Sequence, residues 1–262
     1  MSPTSTDQGG PDPWELVTAL KRWAEDTDWV DWAELAGSLG RGAGDELSDV
    51  DAGIGVHELA ESDARIAEAA AAVASFAPVA ATLHQRLNGS VDHLICAYRD
   101  GRQLSLVVVD ETARPGLPPQ AAVLVDKSGR LSSAMDRSRW DADEATVREW
   151  AFLAWIAIGD AARHRLRDRP WRALKALDEA RDNLWKLWAH TLGLVFPVHG
   201  AVAVENADAA LPSGIEETHP RDLSPAELHR ALAAVGRLLE PYTTGDLSAL
   251  AETVGRRLAL LG

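Results

Sequence analysis

The chain has 262 residues, 46% of them hydrophobic and 25% charged, a globular composition that excludes a disordered, collagen-like or disulfide-stapled protein. Its length suits one large fold or two modest ones. Forty Asp and Glu against 26 Lys and Arg leave a net charge of -14, with only four lysines (Lys21, Lys127, Lys175, Lys186), so the chain repels phosphate backbones and anionic lipid.

The single Cys96 cannot close an intramolecular disulfide, and residues 1–12 lack the basic start and apolar core of a signal peptide. No run approaches the ~18 apolar residues of a membrane span. The expectation is a cytoplasmic protein without nucleic-acid or membrane partners. Most of the ten Trp are expected to pack the core.

Residues 1–12 read as a loose, disordered terminus. Pro13 then opens a helix whose Trp14, Val17, Leu20 and Ala24 recur at helical spacing up to the Asp-Thr-Asp break at 26–28. A short segment, Asp31 to Ala36, leads into a turn with Gly37, Gly40, Gly42 and Gly44, and a strand-like run covers Asp49 to Val56. A helix is expected over about 61–76. Val91 to Tyr98 and Arg102 to Val109 form a hairpin about Asp100-Gly101, and Ala122 to Val125 a further strand.

From about Asp141 the pattern is helical. Val147, Trp150, Ala151, Ala154, Trp155, Ile158 and Ala162 make one stripe, and Trp171, Leu174, Leu177, Leu184 and Trp188 another. A loop covers about 194–222, and two amphipathic helices, about 224–240 and 246–260, close the chain. Ser224-Pro225 with Glu227 is a capping-box pattern. The fold class is therefore α+β: a mixed front domain at 13–135 and an all-α helical domain at 136–262.

The chemistry concentrates between Gly37 and Val56. In the strand after Ser48, Asp49 and Asp51 leave one face while Val50, Ala52, Ile54 and Val56 fill the other. Two carboxylates about 6.5–7 Å apart at their attachment points are placed to reach closely spaced metal ions. Gly53 and Gly55 continue that face without side chains, which predicts an open strand beyond the carboxylates. The turn glycines let backbone N–H groups approach phosphate, with Ser38 adding a hydroxyl and Arg41 a cation. There is no Gly-Lys-Ser/Thr of a P-loop, and Asp45 stands where Rossmann spacing needs glycine.

Gly37-Ser38, ten intervening residues and Asp49-Val50-Asp51 resemble the signature of the DNA polymerase beta nucleotidyltransferase superfamily, specifically the small bacterial enzymes that adenylylate antibiotics. The hairpin, the strand ending in Val125-Asp126-Lys127 and the helical segment with Arg181-Asp182-Asn183-Leu184 are similar to elements of that family. The resemblance implies a nucleotidyltransferase domain, a mixed sheet flanked by helices, followed by a helical bundle. It also implies Mg²⁺ on Asp49 and Asp51, and ATP as donor with its phosphates cradled by Gly37, Ser38 and Arg41. AMP would pass to a hydroxyl of a small, cationic, aminoglycoside-like acceptor, with release of pyrophosphate.

The sequence departs from the family at one position. A third carboxylate belongs on the second hairpin strand, where the chain reads Leu104-Ser105-Leu106. Serine is a poor ligand for a hard cation and no base. If the Asp100-Gly101 turn holds two residues, Cys96 stands opposite Ser105; Asp110 points to the other face and Asp92 lies about 13 Å along the strand. Asp178, Glu179 and Asp182 of the helical domain are the alternative sources of a base.

The alternative function is a catalytically degenerate relative that binds nucleotide or a regulatory partner. A toxin–antitoxin component is disfavoured because the helical domain is fused to the front one. The eight histidines, among them His164, His190 and His199, show no metal spacing and are expected at the surface or hydrogen-bonded. Cys96 is expected to be a small buried residue. Lys175, Arg181 and Lys186 share a helix as either a solvated face or a phosphate clamp.

Overall fold

A computed structural model describes residues 11–57, 63–87 and 91–261. Of the loose terminus expected over 1–12, residues 1–10 lie outside them, as do the first residues of the helix expected from 61. The chain separates into two compact units, 1–136 and 137–262.

The first unit is built on a six-stranded sheet of order β3-β4-β5-β2-β1-β6. In chain order its elements are α1 (Pro13–Asp26), β1 (Val30–Leu35), the single turn α2 (Gly37–Gly40), β2 (Val50–Val56), α3 (Asp63–Ser75), β3 (Val79–Leu87), β4 (Val91–Tyr98), β5 (Gln103–Asp110) and β6 (Ala122–Asp126). Only β2 and β5 run parallel; every other neighbouring pair is antiparallel. The sheet is therefore mixed, as the sequence predicts. α1 starts where expected because Asp12 caps it, accepting from Trp14 N, with Pro13 in the first turn.

Strand alternation divides the sheet into two faces. Val50, Ala52, Ile54, Leu94, Cys96, Leu104, Leu106 and Val108 pack with Leu16, Leu20, Ile66 and Val73 of α1 and α3 in one core. Leu104, Leu106, Val108 and Ile54 are fully buried there, each contributing about 1.5–3 kcal/mol. Cys96 belongs to this core, as expected. The opposite face carries Trp32, Val91, Val107 and Val109 around Leu131, and beside them the polar residues described below.

Three sequence expectations change here. β3 is absent from the sequence expectations, since Ala80, Ala81, Gln85 and Arg86 carry no strand signal; pairing with β4 along its length makes it a strand, with most side chains exposed. The hairpin loop holds three residues, Arg99 to Gly101, with Tyr98 N bonded to Arg102 O and Gly101 at φ +92°, the turn-plus-glycine form of a longer connection. That extra residue sets Ile95, not Cys96, opposite Ser105. Third, Gly53 and Gly55 do not leave an open strand. A Cβ on Gly55 would lie 2.1 Å from the Trp32 indole, and one on Gly53 would lie 3.1 Å from Glu34 Oε1.

The second unit is helical among its described residues: α4 (Glu144–Leu166), α5 (Pro170–Thr191), α6 (Ala201–Asn206), α7 (Pro225–Leu239) and α8 (Leu247–Leu258), with short 3-10 turns between. Its core joins Trp150, Trp155 and Ile158 of α4, Leu177, Leu184 and Leu187 of α5, Leu228, Leu232 and Val235 of α7, and Val254 of α8. Ser224 caps α7 by accepting from Glu227 N at 3.4 Å. The reciprocal half of the expected capping box is absent: the Glu227 carboxylate takes Arg221 and Arg230 instead. Trp171, predicted on the apolar stripe, is 73% exposed, because it sits in the first turn of α5, before the packed stretch begins. Among the described residues no helix is long and apolar enough to cross a membrane.

Candidate functional site

Gly37 and Asp51 meet on the sheet, and the charges of Asp49, just before β2, and of Arg41 act on Asp51. Backbone pairing between Ala36 N and Asp51 O, 2.8 Å, brings the glycine turn onto β2. Gly37 has φ +62°, and a Cβ there would stand 2.4 Å from Asp51 Oδ2. Both the left-handed backbone and the contact require glycine. Gly40 and Gly44 serve packing instead: an added Cβ would strike the Leu35 carbonyl or the Leu39 side chain.

Ser38 Oγ donates to Ser48 Oγ at 2.9 Å, and Ser48 Oγ in turn bonds the Asp45 carboxylate. The Ser-Leu-Gly turn and the Asp45–Ser48 connector are thereby tied together, so the Ser38 hydroxyl is committed within the loop. Asp49 is exposed and Asp51 half-buried. Burial pushes the Asp51 carboxyl above its usual range and the Asp49 charge adds to this; His93, the neighbouring Ser105 and the Arg41 charge pull the other way.

Two residues of this face escaped the sequence reading. His93 Nε2 lies 2.8 Å from Ser105 Oγ. Ser105 stands directly across from Asp51 in the parallel β2–β5 pair, and His93 is its diagonal neighbour on β4, since Ile95 pairs with Ser105 and His93 with Val107. The hairpin register was the missing signal: a two-residue turn would have sent His93 to the other face. The second is Glu34 on β1, buried over Gly53. Arg114 Nε donates to its Oε1 at 2.9 Å, while Oε2 has no partner among the described residues. Burial raises the Glu34 carboxyl, and Arg114 opposes that by charge and hydrogen bond.

Asp92, expected on the site face, is buried on the other one, where His84 and Arg86 bind its carboxylate. Asp110 caps the turn that follows β5, accepting from Thr112 N. In the second unit, Asp178 accepts from Arg181, and Lys175 pairs loosely with Glu179 at 3.8 Å.

The donor set is of the kind that hard divalent cations take. Two adjacent carboxylates, one with its proton affinity raised by the other's charge, gain from a nearby positive charge. Among the described residues no group of three or more His, Cys, Asp or Glu side chains could hold a metal ion. Such a pair fits Mg²⁺, which binds through one or two carboxylates and completes its shell with water and substrate phosphate.

No protein-family model matches the chain, and no curated protein does. Among solved structures, an aminoglycoside 6-adenyltransferase from Bacillus subtilis aligns over 94% of this chain and 90% of its own, at 12% identity and a TM-score of 0.35. A nucleotidyltransferase-like protein from Exiguobacterium sibiricum 255-15 aligns over 87% of this chain and 75% of its own, at 13% identity and a TM-score of 0.37. Similarity of this depth assigns the chain to no family, and what the site can do follows from its own residues.

Proposed function

We propose that the protein is a nucleotidyltransferase that moves AMP from ATP to a hydroxyl of a small cationic acceptor and releases pyrophosphate. The observation that carries this is the seating of Gly37 on the Asp51 carboxylate, which unites the Gly-Ser turn and the Asp-Val-Asp strand at one spot. Asp49 and Asp51 hold Mg²⁺. When bound, the ion offsets the triphosphate charge and lowers the pKa of the attacking hydroxyl. The backbone about Gly37 receives the outer phosphates, Ser38 joins them by releasing Ser48, and Arg41 supplies positive charge beside Asp51. The net charge of -14 favours encounter with a cationic acceptor, of which aminoglycosides are the class suggested by the motif's resemblance.

Calorimetric titration of ATP with MgCl₂ tests binding. Heat is expected from the native protein and none from Asp49→Ala with Asp51→Ala; the same heat from both would sink the assignment. Pyrophosphate release over a panel of aminoglycosides tests transfer. Ser105 favours a second reading, a protein that binds nucleotide without transferring it, and binding with no release from any acceptor would select that one.

A further inference from the structure

Ser105 cannot take a proton from an attacking hydroxyl on its own, yet it stands between two groups that can. Its hydroxyl lies 2.8 Å from His93 Nε2, and its backbone pairs across from Asp51 in the β2–β5 ladder. A hydroxyl has one donor and two acceptor sites, so it can receive a proton from one neighbour while passing its own to another. The nearest carboxylate along β4, Asp92, is turned to the other face and bound by His84 and Arg86. Glu34 is engaged by Arg114 over Gly53, on the far side of β2 from Ser105.

We infer that His93, acting through Ser105, is the proton acceptor of the transfer step, in place of a carboxylate at position 105. The inference rests on the nucleotidyltransferase reading above. In the step, the O–H bond of the acceptor breaks as its oxygen bonds to the α-phosphorus of ATP. The bond from that phosphorus to the bridging oxygen breaks, and its electron pair leaves with pyrophosphate. The released proton goes to Ser105 Oγ, and the proton of Ser105 goes to His93 Nε2. His93 therefore works with Nε2 unprotonated and its hydrogen on Nδ1. Ser105 touches the acceptor hydroxyl; His93 is the residue behind it.

His93→Gln keeps the bulk and a hydrogen-bonding group but no base. Its kcat for pyrophosphate release is expected to fall about 100-fold or more, while KM for ATP and the calorimetric affinity for ATP with MgCl₂ stay within about twofold, since His93 touches no phosphate in this scheme. Adding Ser105→Asp to His93→Gln supplies a carboxylate at the same place and is expected to recover at least about tenfold of the loss. If His93→Gln retains transfer while Asp51→Ala abolishes it, the inference falls and the nucleotidyltransferase reading stands. If His93→Gln loses ATP binding together with transfer, His93 is part of the nucleotide site's framework and the inference falls as well. No pyrophosphate release from the native protein with any acceptor overturns both.

Discussion

Gly37 rests against Asp51: a methyl group on its α-carbon would stand 2.4 Å from Asp51 Oδ2. The turn and the strand of the site are thus held in contact where no side chain fits, and the Asp51 carboxylate is aimed by the absence of a Cβ. Gly37→Ala is expected to destabilise the protein by about 1–2 kcal/mol, the cost of a left-handed alanine at φ +62°. The carboxylate can swing aside, so the larger effect falls on binding. Heat of ATP binding with MgCl₂ should drop at least about tenfold in affinity, measured beside a urea unfolding curve; unchanged affinity would refute this role.

Gly55 and Gly53 make a graded pair. A Cβ at 55 meets the Trp32 indole at 2.1 Å, and Trp32 is fully buried with its Nε1 donating to the Glu111 carbonyl. Gly55→Ala is expected to cost about 1–3 kcal/mol as overpacking. Gly53→Ala meets Glu34 at 3.1 Å and should cost less, since a carboxylate end shifts more easily than an indole. Urea midpoints in the reverse order would contradict the packing described for this face.

Asp51 imposes a pH signature on the ligand-free protein. Its folded pKa is raised above 3.8 by burial first and the Asp49 charge second, against His93, Ser105 and Arg41. Below its unfolded value both states carry the proton, and Asp51 costs nothing. As pH rises from the unfolded value to the folded value the penalty develops, because the folded state holds the proton longer than the unfolded one, and above the folded value it is constant. Asp51→Asn removes that loss, so the difference in stability between variant and native protein should move in the variant's favour from about pH 4 upward. Glu34, raised in the same direction, is common to both proteins and cancels. A difference that is flat with pH would contradict the assignment.

Glu227 works with the opposite sign in the second unit. Arg230 first, and Arg221 with it, hold its carboxylate at about 2 against an ordinary 4.5. Its contribution is fully present above 4.5 and is lost as pH falls toward 2. Glu227→Gln should therefore be less stable than the native protein at neutral pH, and the gap should close in acid, which thermal unfolding at both ends of the range will register.

Trp171 and Leu177 lie on one helix with opposite expectations. Trp171 is 73% exposed and Leu177 fully buried. Trp171→Ser should stay within about 0.5 kcal/mol of the native stability, whereas Leu177→Ala should cost about 2–5 kcal/mol. A cost above about 1 kcal/mol at Trp171 would contradict its exposed position.

Much of the fold was legible because the signals are local. Asp12 and Pro13 start α1, Ser224 and Pro225 start α7, and alternation in Val50, Ala52, Ile54 and Val56 marks a strand with one buried face. The pairing of Gly37-Ser38 with Asp49-Val50-Asp51 was readable for the same reason: both lie within one turn and one strand. β3 is not legible, because Ala80, Ala81, Gln85 and Arg86 dilute the strand preference of Val79 and Thr82 and pairing with β4 makes the segment a strand.

What the sequence by itself determined is therefore the composition of each element and the chemistry along the Gly37–Val56 segment, since caps, turn residues and side-chain alternation act over a few residues. Only the tertiary structure decided what stands beside Asp51. One additional residue in the Arg99–Gly101 loop shifts the β4–β5 register and turns Cys96 and Asp92 to the core face and His93 to Ser105. Trp32 and Glu34 fill the face beyond the carboxylates from a neighbouring strand. The physical reason is that a strand's neighbours across a sheet are chosen by hydrogen-bond register and packing, which residues close in sequence do not encode.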